Sequence, residues 1–208
     1  MLKALLLILD PADSWEGVAL SRRGLGLTLL LYLAPMMLIV AAAEGCGLAE
    51  WGHAQAPPAG TRIFTPGQAA VAEAFQEILM LAAIALCAYL IKALGDTFHG
   101  RNTYTQAFKV VAYGLSPIFL LRLLDVVPAL SLWIPWVIGI MLTMKILYHG
   151  VPIVLKPDPP HAFGLYLMSC LLIAMVTAAE RFISIGALTG EFTRLSSLID
   201  DLGSRLHF

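Results

Sequence analysis

Arg122 and Asp125 are the residues most able to do chemistry in this chain. They stand three apart inside an otherwise apolar run, so a helix would put both on one face, close enough to pair directly. An ionisable group within a membrane-spanning segment costs about 2.5–3.5 kcal/mol on insertion scales, which favours partnered or functional groups there. Two readings follow for the pair. It forms a polar site for a small ion or a bridge to a neighbouring helix, or it snorkels to the interface as a neutral pair one turn from the span's end. Glu73 and Glu77 are four apart on another helical run. They either approach Arg122 in a buried acidic–basic cluster near the outer leaflet or face the lipid headgroups.

Other chemistry is poorly supported. Ser116 and Ser169 stand isolated in apolar runs, where such hydroxyls usually bond back to the helix backbone. No nucleophile stands beside a base, and there is no phosphate-cradling glycine loop or HExxH motif. Cys46, Cys87 and Cys170 show no metal-ligand spacing. His53, His99, His149, His161 and His207 are scattered through loops and ends and read as surface groups. No catalytic residue, metal or cofactor is expected.

The elements that carry these residues are set by composition. Of 208 residues, 59% are hydrophobic and only 13% charged. Mean hydropathy is +0.82. A soluble domain usually carries about 25% charged residues, and this much apolar surface would face water in a fold of this size. The net charge of −1 gives no electrostatic reason to expect nucleic acid.

The expected fold class is all-α: a polytopic membrane helix bundle of about five transmembrane helices, with N-terminal interfacial helices and a C-terminal amphipathic helix. Runs of about 20 apolar residues place the spans at about 25–43, 74–94, 107–127, 130–149 and 162–179. Residues 1–24 form an N-terminal interfacial segment, with Asp10 as cap and Pro11 at the first helical position. Residues 25–180 form the transmembrane domain. Glu44 to Gln68 is a loop, and 181–208 an amphipathic tail. The very short Val127-Pro128-Ala129 link makes spans three and four a tight antiparallel hairpin. Pro35, Pro117 and Pro135 can each kink a span. Ala82, Ala85 and Ala88, and Ala174 with Ala178, are spaced for helix packing. Arg22-Arg23 before the first run imitates an export signal, but that run is too long and leucine-rich for one.

Basic residues orient the chain. With the N-terminus cytoplasmic, Lys3, Arg22, Arg23, Lys92, Arg101, Lys109, Lys145 and Lys156 lie inside. Arg62, Arg122, Arg181, Arg194 and Arg205 then lie outside. The expected order is N-terminus in and C-terminus out, in a bacterial inner membrane.

The stretch from Leu94 to Pro128 resembles the Yip1 family of multi-pass membrane proteins, as a bacterial-type member. The pieces that carry the resemblance are Leu94-Gly95, the polar loop through Gly100, Thr105, Phe108, the pair Tyr113-Gly114, and Pro117. The element Pro11 to Trp15 ahead of the first span matches as well. The long acidic arm of the eukaryotic members and their Asp-Leu-Tyr-Gly-Pro signature are missing from this sequence, so vesicle traffic or Rab GTPase binding does not carry over. The resemblance implies a compact five-helix membrane domain with no established chemistry. The leading expectation is a non-enzymatic scaffold or accessory subunit, with membrane lipids and other subunits or itself as partners. The alternative is a small-solute or ion transporter using a polar site near Arg122 and Asp125. That alternative requires a polar cavity near the midplane, lined by Pro117.

Overall fold

The computed structural model describes every residue except 1, 22, 55–59, 99–101, 128–129 and 207–208. The expectations for Arg22, Pro57-Pro58, His99, Gly100, Arg101, Pro128, Ala129 and His207 lie outside the described residues. Among the described residues, five helical segments are long and apolar enough to cross a membrane: Leu25–Glu50, Pro66–Thr97, Tyr104–Val126, Trp133–Leu155 and Pro159–Thr189. The fold is therefore an all-α polytopic bundle.

In chain order, α1 is Leu2–Leu9 and α2 is Pro11–Leu20. The first span is α3 (Leu25–Thr28), a π-helical turn (Leu29–Leu33) and α4 (Ala34–Glu50). Pro35 sits at the start of α4, so the local rearrangement lies in the turn before it. The second span is α5 (Pro66–Thr97), opened by a capping box between Thr65 and Gln68. The third breaks at Leu115 into α6 (Tyr104–Gly114) and α7 (Ser116–Arg122), then tightens to a 3-10 turn at Leu123–Val126. Pro117 lies in the first turn of α7, where its missing donor is not needed. The fourth span is α8 (Trp133–Leu155) and the fifth α9 (Ala162–Thr189), ended by Gly190 in the left-handed conformation at φ 80°. Pro135 lies in the first turn of α8, so it does not kink that span, whereas Pro152 is inside the helix. The final helix, α10, is Thr193–Arg205. A two-residue antiparallel ribbon pairs β1 (His53–Ala54) with β2 (Thr61–Arg62).

Several helices outrun the bilayer. α5 has 32 residues, about 48 Å at a rise of about 1.5 Å, against a hydrocarbon core of about 30 Å. α9 has 28 residues. α4 runs to Glu50, so the expected loop from Glu44 opens with two further helical turns. The helix from the fifth span likewise continues past 180 to Thr189 before the tail begins. These extensions all project from one end of the bundle. There Leu48, Phe64, Ala69, Ala72, Ala187 and Ile199 form a second, smaller apolar cluster apart from the main core. α10 closes it by lying on the start of α5. Gly203 permits that approach, since a Cβ there would stand 2.6 Å from the Gln68 Cα. Asp200 receives hydrogen bonds from Arg62 and from Gln68 Nε2, the latter at 2.8 Å. α10 thus packs Ile199 and Gly203 at the start of the protein's own second span, while Leu198 and Leu202 stay exposed.

The N-terminal helices pack into the bundle. Trp15 has 0% exposure, and its indole Nε1 donates to the Ile146 carbonyl at 3.0 Å. The indole lies against Gly150, where a Cβ would come within 2.4 Å of the ring. Tyr113 meets Trp15 edge-on at 6.5 Å and stacks on Tyr32 at 4.1 Å between centroids. Tyr32 and Tyr113 are further linked through the Ser116 hydroxyl, which donates to the Tyr113 carbonyl and hydrogen-bonds the Tyr32 hydroxyl. Gly114 faces Leu147, whose side chain would have to shift to admit a Cβ, 2.7 Å from its Cδ2. The packed face of α5 carries Ala83, Ile84, Cys87 and Ala88. Ala82 and Ala85 point away from the bundle, which corrects the expected alanine stripe. Ala174 and Ala178 are half-buried, beside the buried Ile173 and Thr177.

Two outcomes test this packing. Gly150→Ala should lower the thermal unfolding midpoint in detergent, and adding Trp15→Phe should recover part of the loss, because the clash is with the indole ring. Gly203→Leu should release α10, seen as rapid protease cleavage after Thr193 while the five spans stay intact.

Candidate functional site

Antiparallel connection brings the last turns of spans one, three and five and the first turns of spans two and four to the same end. Four of the five contribute ionisable groups near there: Glu44 from α4, Glu73 and Glu77 from α5, Arg122 and Asp125 from the third span, Glu180 and Arg181 from α9. Counting about 20 residues from the opposite end of each span lands on or beside these positions. The charges therefore sit at the edge of the apolar slab, not at its midplane. Trp133 and Trp136 mark the same level on α8, as interfacial aromatics do, with Trp136 Nε1 donating to Thr177 Oγ1 at 3.3 Å.

Arg122 is the centre. It is 3% exposed. Its guanidinium grips Glu44 with two bonds, Nε to Oε1 at 3.0 Å and Nη2 to Oε2 at 2.6 Å. This is the bidentate fork that makes Arg–carboxylate pairs strong. Nη1 lies 3.2 Å from Glu77 Oε1, an ion pair without hydrogen-bond alignment. Gln76 Nε2 donates to Glu44 Oε2 at 2.7 Å. One cation thus ties α4, α5 and α7 together.

Asp125 takes a different partner. Arg181 Nη2 donates to its carboxylate and to the Leu132 carbonyl at 2.8 Å, which joins the third span, the entry to α8 and α9. The expected direct pairing of Arg122 with Asp125 is not formed. After Arg122 the helix tightens into the 3-10 turn, which changes the angular offset between the two side chains, and each meets a closer opposite charge on another span. Glu180 is buried and accepts from Ser184 Oγ at 3.1 Å.

Of the candidate residues, Arg122 and Glu77 are brought together. Glu73 lies in the same cluster, buried beside Glu44. Tyr113, Gly114 and Trp15 gather separately in the mid-bundle core, where Pro11 and Pro117 only start the helices α2 and α7. Sequence reading missed Glu44, Gln76, Glu180 and Arg181 as members. The available signal was that four of the five apolar runs meet this side with an ionisable residue. Cys46 lies on α4 rather than in a loop and is exposed, while Cys87 and Cys170 are buried.

A cavity of about 300 Å³ opens beside the cluster, with Glu44, Glu73, Gln76, Asp125 and Arg181 on its wall and His53 near its rim. Burial, and then the nearby Arg181 cation, hold the His53 imidazole below its ordinary range. Pro117 does not line this cavity. No group of three His, Cys, Asp or Glu among the described residues is arranged to hold a metal ion.

A family model described as Yip1 domain matches residues 5–179. The chain belongs to the Yip1 family of integral membrane proteins. The matched region takes in the buried Trp15, the Tyr113-Gly114 core and all five spans up to the last turns of α9. Comparison with curated proteins and with solved structures returned no match.

Removing one partner of a buried ion pair leaves an uncompensated charge, at a cost of about 3–5 kcal/mol. Arg122→Ala should therefore unfold at a much lower temperature than the wild type. Arg122→Met combined with Glu44→Gln and Glu77→Gln should recover part of that loss, because the two carboxylates that pair with Arg122 are neutralised with it. Thermal unfolding of the detergent-solubilised variants checks both outcomes.

Proposed function

We propose that this chain is a non-enzymatic scaffold or accessory subunit of a membrane complex, in a bacterial inner membrane, with its N-terminus in the cytoplasm and its C-terminus outside. The observation that carries this reading is the placement of the intramembrane charges. Arg122 ends α7 and Arg181 lies two turns before the end of α9, and both are joined to carboxylates on other spans. Charges used in this way fasten helices to one another. A transporter's charges would line a central path, and the cavity beside this cluster lies at the bundle's end without Pro117 on its wall. The mid-bundle positions next to Pro117 are filled instead: Ile118 packs so closely on Gly139 that a Cβ there would stand 3.0 Å from the Ile118 Cα.

The parts available to a partner are the helix faces and the cap. Large apolar side chains such as Leu30, Leu38, Ile78, Met141 and Met175 are exposed on the outside of the bundle, where acyl chains or neighbouring subunits would cover them. The cap of α10 and the ribbon is too small to fold alone, which suits a docking element held by the membrane domain.

Two measurements test this. Tagged full-length protein extracted in gentle detergent should bring down a stoichiometric membrane partner or further copies of itself, identified by mass spectrometry. Recovery as a lone monomer would overturn the subunit reading. For orientation, a reporter active only outside the cytoplasm should work when fused after Phe208 and fail when fused before Met1.

A further inference from the structure

Within the charge cluster the pairing is incomplete. Glu44 is committed to Arg122 and Gln76, and Asp125 to Arg181. Three buried atoms of residues that line the cavity lack a hydrogen-bond partner: Glu73 Oε2, Asp125 Oδ1 and Arg181 Nε. Glu73 and Arg181 are each 5% exposed, and all three residues line the cavity. Buried polar atoms are nearly always bonded, and an unpaired buried charge is costlier still. The shortage is specific in kind. Two carboxylate oxygens need a donor, and one guanidinium N–H needs an acceptor. The Glu73 carboxylate also lies beside that of Glu44, so a positive group between them would relieve their repulsion.

We infer that the cavity formed by Glu73, Asp125 and Arg181 binds a zwitterion: a primary ammonium on the two carboxylates, joined by a short spacer to a phosphate or carboxylate on Arg181 Nε. A primary ammonium offers three N–H donors, enough for both free carboxylate oxygens. A quaternary ammonium offers none. The volume of about 300 Å³ is at the lower end of small-ligand sites, right for a headgroup or an amino acid and too small for a whole lipid. The rim carries Leu130 and Trp133, which are 36% and 37% exposed. An apolar rim at the interfacial level lets acyl chains trail into the bilayer while the headgroup enters. The ligand therefore comes from either of two sources, an aminophospholipid headgroup or a free zwitterion of the same chemistry. The inference is independent of the scaffold reading, since a subunit with or without partners could hold such a ligand.

The test uses delipidated full-length protein in detergent, with thermal unfolding and native mass spectrometry. Phosphatidylethanolamine should bind more tightly than phosphatidylcholine and phosphatidylglycerol of the same chains, by about tenfold or more, as expected for a hydrogen bond to a charged group. Stepwise N-methylation of the ethanolamine should weaken binding progressively. Glu73→Gln should abolish the preference, and Glu73→Asp should keep part of it. Competition by O-phosphoethanolamine or a free amino acid assigns the site to a soluble zwitterion; failure of both to compete assigns it to the lipid. Equal binding of all three phospholipids with no effect of the soluble zwitterions overturns the inference, as does a preference unchanged in Glu73→Gln. The N-methylation series decides the matter on wild-type protein even if the Gln variant does not fold.

Discussion

A guanidinium removed from water at the edge of the bilayer core must be paired, and Arg122 is paired with carboxylates from two other spans. That requirement organises one end of the molecule. Glu44 must come from α4 and Glu77 from α5, so three helices are held in fixed rotation about their axes. Arg181 does the same for the third span, α9 and the entry to α8 through Asp125 and the Leu132 carbonyl. Apolar packing between membrane helices is only weakly specific, because lipid tails are as apolar as leucine. Paired charges supply registry that such packing lacks. The Arg122 ring of partners also explains why the helices continue past the slab: α4, α5 and α9 need further turns to bring their apolar faces together under α10.

The other end of the specificity lies in the mid-bundle. Trp15, Tyr32, Tyr113 and Ser116 form one buried contact set, and Gly114 and Gly150 give the close backbone approach it needs. Here an element ahead of the first span is locked against α6 and α8. The residues that resemble the Yip1 family thus meet in space although they are far apart in the chain, with 131 positions separating Trp15 from its acceptor carbonyl. Their role is packing. The charge cluster is a separate structure at a different depth. It is the only one of the two that leaves polar atoms unsatisfied beside a cavity, which is why a ligand is sought there.

Much of the fold was legible in the chain. Length and hydropathy of each run set the number of spans, because a bilayer accepts only helices with their backbone bonds closed internally. Asp10-Pro11 marked the start of α2, whereas α5 starts at Pro66, inside the stretch expected to be a loop. Errors arose where tertiary contacts extend an element. Glu44 looked like a loop residue because it ends an uncharged run, yet the helix continues since Glu44 has Arg122 to face. The tail beyond Arg181 looked like a free amphipathic segment, yet α9 persists to Thr189 and α10 turns back onto α5. The alanine spacing on α5 mixes two faces, Ala82 and Ala85 outward and Ala88 inward, because small residues line both sides of that helix.

By itself, the sequence determined that this protein is a five-span helical membrane protein of the Yip1 type, since apolar length, turn residues and charge placement are local properties. It also showed which residues were too costly to leave alone in lipid. The tertiary structure alone decided their partners. Arg122 and Asp125 are neighbours on one segment, and helix periodicity favoured a pair; a single 3-10 turn and the arrival of Glu44, Glu77 and Arg181 from other spans separated them. Pairing of buried charge is settled by distance in three dimensions, and that distance depends on how five helices are rotated, which no local spacing encodes.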